Sequence, residues 1–411
     1  MLILAEKKKG LHKISYDNKT LFDFKHILKL GKKHNNVKPC EYKEDKMASI
    51  SYTSGSTGNS KACVATWKSI DAMVQVMGMT EVGRFEKGDR FLCAFPLWIN
   101  YSLLNMMHEP LSLGVTLVLD PLFKPENVVK RNNRFRLNHI LSTPPYVKRI
   151  TELDKKTDFS QLKIFITGGD TLPNDVKIKA DKYIKKNGGT AQIVQGYGAT
   201  ECLGSFSYCY YPDSTLGSVG KPCIGNLIKI IDQDTGEELG AGETGVGYFY
   251  SPALMKEYYG DEAATQKNLV PDENGVLWYN TEDLLHVNEK GEIFLDGRIR
   301  RIVLTYDENG NPTKIIPDKL KNVLLNRADI EKCEVITVPD GVKVNVSIAF
   351  VVPKDKNFKS DEFRSELIDY SKENVPEYMI PKDIVFIDDI PVTSSSKPDL
   401  KTLVKMYMAR N

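Results

Sequence analysis

Short apolar runs alternate with amphipathic segments through the middle of the chain. From Ala48 onward, the runs FLCAFPL, VTLVL, LKIFIT and AQIVQ are separated by stretches of helical periodicity, such as residues 173–186. Strands that alternate with helices are typical of a parallel sheet whose faces are covered by helices. The pattern therefore predicts an α/β fold with mixed or parallel sheets flanked by helices.

Two later regions have a different pattern. Between residues 217 and 297, the turns DTGEEL, DENGV and NEKGE lie between β-rich runs, which predicts a small, mostly antiparallel β-subdomain. After the polar segment GRIRR, helices are predicted near residues 317–326 and 360–373, and a strand at DIVFID. We expect an N-terminal domain of residues 1–297, with its β-subdomain at 217–297, and a small, mobile α+β C-terminal domain of residues 298–411.

Composition limits the classes of partner. The 411 residues carry 56 Lys and Arg against 54 Asp and Glu, a net charge of +2, which does not favour nucleic acid or an anionic membrane as main partner. No apolar stretch approaches the roughly 20 residues that a membrane helix needs. Since the apolar start MLIL precedes rather than follows charged residues, we expect no secretory signal and a cytoplasmic location.

Cysteine and histidine positions give no sign of a structural metal or a disulfide framework. The seven cysteines are scattered and contain no CxxC pair, and the six histidines have no metal-ligand spacing. The chemistry of the chain must therefore be sought in other motifs.

The strongest chemical signal is the segment YTSGSTGNSK at residues 52–61. It places two glycines, five Ser or Thr hydroxyls and one lysine in ten residues. Small residues let backbone N–H groups surround an anion, hydroxyls add donors and lysine adds charge. The segment predicts a phosphate-binding loop, with a plain surface loop as the alternative. It is not the GxxxxGK[ST] loop, because Ser60 and Ala62 replace the second glycine and the final hydroxyl.

The same segment resembles the TSG[ST]TGxPKG loop of the adenylate-forming superfamily, which includes acyl-CoA synthetases, carrier-protein adenylation domains and luciferases. Further segments resemble motifs of that family and occur in its order: GYGATE, YNTEDL, GRIRRIVL, and finally VPEYMIP with PVTSSSKPDLKTL. The resemblance covers the chain from Tyr52 onward and implies the family's two-domain fold. It also implies that the family's N-terminal subdomain is largely missing before the loop.

The resemblance assigns site residues one by one. The phosphate ligands would be Thr53, Ser54, Gly55, Ser56, Thr57, Gly58 and Lys61. The turn and strand beside adenine would contain Gly169, Asp170, Gly196, Tyr197, Gly198, Ala199 and Thr200. Glu201 and Thr57 would bind Mg²⁺, Asp283 and Arg298 would bind the ribose, and Arg300 takes the hinge position. Lys397 matches the catalytic lysine of the C-terminal domain, so the expected catalytic residues are Lys397, Glu201 and Lys61.

These residues suit attack of a carboxylate on the α-phosphate of ATP, which needs cations, donors and positioning. The expected activity is ATP-dependent acid–thiol ligation through an acyl-adenylate with release of pyrophosphate. Its cofactors would be ATP, Mg²⁺ and a thiol, either coenzyme A or the phosphopantetheine of an acyl carrier protein, with coenzyme A ranked first. Adenylation for a carrier protein is the alternative, and a truncated, non-catalytic nucleotide-binding module is the alternative from another class. A Cys or Ser hydrolase has no visible nucleophile–base pair.

The acid is expected to be a non-amino acyl or aryl acid. Relatives that adenylate amino acids place an Asp in the segment that follows Phe95, whereas this chain has no acidic residue there before Glu109. Trp98, Ile99 and Tyr101 either line an apolar acyl pocket or pack in the core. Glu282 stands where the family has a glycine, and residues 305–314 lengthen the segment after the hinge.

Overall fold

A computed structural model describes residues 2–4, 13–16, 19–34, 36–53, 60–80, 85–120, 124–153, 155–210, 214–341, 343–355, 358–392 and 398–410. The chain divides into two compact units, Met1–Glu44 and Asp45–Asn411, and each is described by itself.

The first unit is a three-stranded sheet followed by a helix. Strand β1 (Leu2–Leu4) pairs in parallel with β3 (Lys19–Asp23), and β2 (Lys13–Tyr16) pairs with β3 in antiparallel fashion. Helix α1 (Phe24–Lys33) follows β3 directly. None of the candidate site residues lies in this unit.

The second unit begins with alternating strands and helices. In chain order these are β4 (Met47–Tyr52), β5 (Ala62–Thr66), α2 (Trp67–Thr80), β6 (Arg90–Cys93), α3 (Asn100–Leu103), a π-helical turn (Leu104–His108), α4 (Glu109–Ser112), β7 (Thr116–Leu119), α5 (Pro125–Phe135), β8 (His139–Ser142), α6 (Pro144–Glu152), β9 (Ile164–Thr167), α7 (Asn174–Lys186), β10 (Ile193–Ala199), β11 (Gly204–Tyr208) and β12 (Lys221–Pro222).

Seven of these strands form the main sheet, in the order β12-β11-β10-β9-β8-β6-β7. The strands from β10 to β7 run parallel, and β11 and β12 continue the sheet in antiparallel fashion. Every residue of β8 and β9 is buried, because separate apolar clusters cover the sheet. Burial on both faces explains the apolar run LKIFIT, which contains β9.

A second sheet contains the predicted hairpins. The elements that follow β12 are β13 (Leu227–Ile231), β14 (Gly245–Tyr250), β15 (Glu257–Tyr258), α8 (Glu262–Asn268), β16 (Leu269–Pro271), β17 (Leu277–Val287) and β18 (Ile293–Arg298). Five of these strands form an antiparallel sheet in the order β13-β14-β17-β16, with β18 also paired to β17. Strand β15 instead joins β5 and β4 in a separate three-stranded sheet.

The last part of the chain is a small α+β assembly. Its elements are β19 (Val303–Tyr306), β20 (Pro312–Ile315), α9 (Pro317–Leu325), β21 (Ile330–Asp340), β22 (Val344–Pro353), α10 (Asp361–Asn374), β23 (Asp383–Phe386) and α11 (Leu400–Met408). The side chains of Ser360 and Asp399 cap α10 and α11 by accepting backbone N–H bonds. The predictions of two helices and a strand here are confirmed, as is the α/β fold class. Over the described residues, no helix combines the length and apolar character required to cross a bilayer.

Candidate active site

The carboxyl ends of the parallel strands meet at one edge of the main sheet. Strand β6 leads into the segment around Phe95, β9 into Gly169 and Asp170, and β10 into Thr200 and Glu201. In open parallel sheets, ligands bind at this edge. Sequence segments that lie far apart in the chain are therefore brought to the place where a ligand site is expected.

The glycines of the GYGATE segment permit close approach of neighbouring backbone. A Cβ atom on Gly198 would collide with the backbone of Gly204, and one on Gly196 would lie 2.6 Å from the ring of Tyr208. These glycines are therefore required by the packing of β10 against β11, in addition to any contact with a ligand.

The β4–β5 hairpin holds both ends of the predicted phosphate loop. The Thr53 N–H donates to Lys61 O at 2.9 Å, and the Lys61 N–H donates to Thr53 Oγ1 at 3.0 Å. These bonds place Thr53 and Lys61 side by side at the base of the loop. The other predicted phosphate ligands lie outside the described residues: Ser54, Gly55, Ser56, Thr57 and Gly58.

The side chain of Lys61 has two partners that sequence reasoning missed. Its Nζ lies 3.2 Å from Asn268 Oδ1 at the end of α8, and 4.4 Å from the centre of the Tyr258 ring. Asn268 and Tyr258 are 1% and 2% exposed. Because they lie in a segment without catalytic spacing, EYYGDEAATQKN, only the fold identifies them.

Glu201 lies in a 3₁₀ turn, Thr200–Cys202, directly after β10. Its side chain is buried, and the Tyr258 hydroxyl donates to Oε1 at 2.6 Å. Its backbone carbonyl accepts from the Met255 N–H at 2.7 Å. Glu201 and Lys61, which are predicted from different motifs, therefore both contact Tyr258.

The donors at this position suit a magnesium ion that arrives with ATP. Among the described residues, no group of three or more His, Cys, Asp or Glu could hold a metal ion. Mg²⁺ usually keeps several waters and binds proteins through one or two carboxylates together with substrate phosphates. The single buried carboxylate of Glu201 near the cation of Lys61 fits that pattern.

Asp283 lies between Tyr197 and Arg298. The Tyr197 hydroxyl donates to Oδ2, and Arg298 Nε lies 3.1 Å from Oδ1. Burial raises the pKa of Asp283, although the charge of Arg298 and the Tyr197 bond act in the opposite direction. Asp283 in turn raises the pKa of Arg298. Three residues that the resemblance assigns to the nucleoside are thus in direct contact.

Glu282 stands where the resembled motif has a glycine. Its φ is 56°, the left-handed conformation that favours glycine. Its carboxylate lies 2.6 Å from Lys267 Nζ, which balances the extra negative charge beside Asp283. The departure from the motif therefore keeps the backbone shape of a glycine position.

The three residues predicted for the acyl pocket are not enclosed together. Trp98 is 81% exposed and Ile99 is 44% exposed, so neither packs in the core. The Tyr101 hydroxyl donates to the carbonyl of Ser142 at 3.4 Å and lies beside Gly168. Of these three, only Tyr101 reaches the edge of the sheet beside the GGD turn, residues 168–170.

The hinge position is flanked by anchored arginines. Arg300 lies in a 3₁₀ turn, Ile299–Arg301. Arg298 precedes it and is held by Asp283. Arg301 follows it and contacts Asp318 and the Val335 carbonyl, and Arg301 Nη2 lies 2.8 Å from the buried Glu334. Lys397, the predicted catalytic lysine, lies outside the described residues.

Asp170 lies near the last part of the chain. It is exposed, and its Oδ1 accepts from the Thr171 N–H at 2.8 Å. Burial lowers the pKa of Lys321 on α9, whereas the negative charges of Glu334 and Asp170 raise it. The charges outweigh burial, so the pKa lies above its ordinary value. The GGD turn and α9 therefore interact electrostatically.

Known families and structures match almost the whole chain. The AMP-binding enzyme family matches residues 2–259, and the AMP-binding enzyme C-terminal domain matches residues 319–397. A probable CoA ligase from Humulus lupulus is 28% identical over 373 residues, which are 89% of this chain and 65% of that protein. A putative acyl-CoA ligase from Bacillus subtilis is 29% identical over 86% of this chain and 66% of its own length. The chain thus spans a little less than two thirds of these relatives.

Solved structures share the fold. ATP-bound MatB from Rhodopseudomonas palustris has a TM-score of 0.78 and 22% identity over 90% of this chain and 69% of its own. The O-succinylbenzoate coenzyme A synthetase of Bacillus subtilis, in complex with ATP and magnesium ion, has a TM-score of 0.76 and 24% identity over 93% of this chain and 75% of its own. Since the first family match alone covers more than half of the residues, the chain belongs to the AMP-binding enzyme family, the adenylate-forming superfamily that its motifs resemble.

Proposed function

We propose that the chain is an AMP-forming acid–thiol ligase, which activates a carboxylic acid as its adenylate and transfers the acyl group to coenzyme A. The observation that carries this proposal is the convergence of Lys61 and Glu201 on Tyr258, at 4.4 Å from the ring centre and 2.6 Å from the hydroxyl. A cation and a carboxylate so placed suit a triphosphate accompanied by magnesium. Family membership and the similarity to relatives named CoA ligases support the same activity.

The first half-reaction brings two anions together. A carboxylate oxygen forms a bond to the α-phosphorus of ATP, the bond from that phosphorus to the bridging oxygen breaks, and pyrophosphate leaves. Lys61 and the loop that it closes would bind the β- and γ-phosphates. Magnesium, when bound at Glu201 and Thr57, would neutralise phosphate charge. Lys397 would donate to the carboxylate and the α-phosphate while charge develops between them.

The nucleoside would bind along the edge of the main sheet. The ring of Tyr197 and the backbone of Gly169, in the turn after β9, would both face adenine. Asp283 and Arg298 would bind the ribose hydroxyls. A ribose hydroxyl that donates to Asp283 joins the Tyr197 hydroxyl and Arg298, which already hold its oxygens. We infer that the ribose meets a carboxylate that Tyr197 and Arg298 have already oriented.

The second half-reaction would require residues 298–411 to rotate as a C-terminal domain. The side chain of Arg298 is held by Asp283, and that of Arg301 by Asp318 and Glu334. The backbone between these anchors, at Ile299 and Arg300, is the short segment where a rotation meets least resistance. After the proposed rotation, the thiol would occupy the position that Lys397 holds during adenylation.

The acid would be a non-amino acyl or aryl acid, and coenzyme A would be the acceptor before a carrier protein. The absence of an acidic residue from the segment 96–108 removes a partner for an α-amino group. Tyr101, beside the GGD turn, is the described residue best placed to contact the acid. A panel of acids that differ in length and charge would identify the class.

ATP–pyrophosphate exchange without a thiol tests the proposal. Wild type with Mg²⁺ and a panel of acids should exchange label in an acid-dependent manner, and Lys397→Ala should abolish it. Lys401→Ala, at an exposed position on α11, is the matched control and should exchange as wild type does. ATP binding without exchange, whichever acid is added, would favour a non-catalytic nucleotide-binding module.

A further inference from the structure

Tyr258 contacts two side chains of the proposed phosphate site at once. Its hydroxyl donates to Glu201 Oε1 at 2.6 Å, and its ring lies 4.4 Å from Lys61 Nζ. The ring itself is 2% exposed. One buried aromatic side chain therefore connects a carboxylate and a cation that are 140 positions apart in the sequence.

The backbone around Tyr258 leaves its ring little freedom. The N–H groups of Lys256 and Tyr259 donate to β5, at Val64 and Ala62, with N–O distances of 2.8 and 2.7 Å. The Tyr258 N–H donates to Thr265 Oγ1 on α8 at 2.9 Å. The segment is thus fastened to the strand that follows the phosphate loop.

The same segment is also fastened to the turn that carries Glu201. The Met255 N–H donates to the Glu201 carbonyl at 2.7 Å. On the other side of Lys61, Asn268 accepts from Nζ, and its Nδ2 donates to the Asn280 carbonyl at 3.0 Å. This second bond fixes which amide atom faces Lys61.

We propose that Tyr258 is a positioning residue that fixes the carboxylate of Glu201 for the metal–nucleotide complex and aligns Lys61 toward the phosphates. A hydroxyl bond to one carboxylate oxygen sets the rotation of the carboxylate, as outer partners do for metal ligands. The ring face attracts the lysine cation and limits its rotamers. The inference rests on the proposed function, because it assigns Glu201 and Lys61 to ATP.

Substitutions separate the two contacts. Tyr258→Phe keeps the ring and removes the hydroxyl, while Tyr258→Leu removes both. The matched control is Tyr183→Phe, because Tyr183 is 6% exposed and its hydroxyl donates to the Lys155 carbonyl at 2.6 Å, on α7 and away from Glu201. Calorimetry without metal measures the affinity for α,β-methylene-ATP. Electron paramagnetic resonance measures the affinity of the complex with this analogue for Mn²⁺, which is used in place of Mg²⁺. Thermal unfolding is recorded for each variant.

Tyr258→Phe should weaken Mn²⁺ binding in the nucleotide complex by about tenfold, with metal-free binding of the analogue unchanged. Tyr258→Leu should in addition weaken metal-free binding by about two- to fivefold, the size of a partly exposed cation–π contact. Tyr183→Phe should change neither affinity.

Two results would overturn the inference alone. The first is wild-type Mn²⁺ affinity in a folded Tyr258→Phe protein. The second is loss of the folded state in Tyr258→Phe, which would assign the hydroxyl a general structural role. A wild type that binds neither the analogue nor Mn²⁺ would instead overturn the proposed function and, with it, the inference.

Discussion

Arg298 lies opposite Asp283 in the β17–β18 pairing, with 3.1 Å between Arg298 Nε and Asp283 Oδ1. The hydroxyl of Tyr197 holds the second oxygen of the same carboxylate. Since both oxygens already have partners in the protein, the carboxylate is oriented before any nucleotide binds. Such preorganisation reduces the ordering cost of binding.

Asp283→Asn should weaken ATP binding without unfolding the protein. A neutral amide replaces a charged acceptor, which we expect to weaken ATP affinity by about ten- to a hundredfold. The side chain of Arg298 is 47% exposed and can be solvated, so the free energy of unfolding should change by about 1 kcal/mol or less. Titration calorimetry with ATP and thermal unfolding measure the two quantities.

Asp296→Asn is the control for Asp283→Asn. Asp296 Oδ2 lies 2.8 Å from His286 Nδ1 in the same β-hairpin, away from Tyr197. Its substitution should leave ATP affinity at the wild-type value. Equal losses of affinity in both variants would mean that the hairpin as a whole, rather than Asp283, controls binding.

Ion pairs that cross the proposed domain boundary lead to a second prediction. Lys148 Nζ lies 2.8 Å from Glu331, Lys354 Nζ lies 3.2 Å from Asp175, and Lys314 pairs with Asp234. Exposed pairs contribute about 0 to 1 kcal/mol each. In the double variant Lys148→Glu, Lys354→Glu, the population of the orientation in which these two pairs form should therefore fall by up to about thirtyfold.

Limited trypsin digestion at Arg298, Arg300 and Arg301 measures the shift in orientation. The double variant should be cleaved faster than wild type at low salt, and salt should reduce the difference because it screens exposed charges. Lys372→Glu is the control, since Lys372 pairs with Asp369 inside residues 298–411. Cleavage that is equally fast in the control and the double variant would contradict a boundary-specific effect.

Sequence patterns predict much of this fold and part of the site. The apolar runs FLCAFPL, VTLVL, LKIFIT and AQIVQ overlap the parallel strands β6, β7, β9 and β10, and turn residues predict the hairpins of the antiparallel sheet. The motifs predict Lys61, Glu201 and Asp283 as site residues, because the chemistry of ATP needs those residue types.

The partners that hold these residues could not be predicted from sequence. Tyr258 reaches Glu201 only because β15 pairs with β5, which is a tertiary event with no local signature. Trp98 is a related case, because an apolar residue in an apolar run predicts burial, yet Trp98 is 81% exposed. Contacts between segments, unlike periodicity, depend on the whole fold.

Gly198→Ala should damage the site through packing. A Cβ atom at this position would collide with the carbonyl of Gly204 on the neighbouring strand, so β10 and β11 would have to separate. Overpacking of this kind costs about 1 to 3 kcal/mol, and the turn carrying Glu201 should shift with it. Denaturant unfolding and ATP affinity should both decline. Gly341→Ala, where nothing lies within 4 Å of the added atom, should have no effect.

A buried charge group at the amino ends of β6, β8 and β9 sets a pH dependence of stability. His139 Nε2 lies 2.8 Å from Asp89 Oδ2, and Lys163 Nζ lies 3.0 Å from both Asp89 Oδ2 and Glu86 Oε2. Burial raises the pKa of Asp89, but bonds from His139 and Lys163 outweigh it and hold that pKa below its ordinary value. Burial also lowers the pKa of His139, more than Asp89 raises it.

Both shifts make acid destabilising. Each group binds protons more readily in the unfolded chain, so protonation favours unfolding. The contribution of His139 is complete above its unfolded pKa of about 6.5 and declines as pH falls below that value. The contribution of Asp89 is complete above about pH 3.9 and is lost at lower pH. The unfolding temperature should therefore fall in two stages as the protein is acidified.

His139→Gln should remove the first stage and leave the second. The glutamine amide can still donate to Asp89, but it does not titrate, so the unfolding temperature should vary less with pH between about pH 7 and 5 than in wild type. Thermal unfolding followed by circular dichroism across this range provides the comparison. Parallel curves for His139→Gln and wild type would show that His139 does not drive the loss of stability, because a non-titrating side chain cannot reproduce a proton-linked slope.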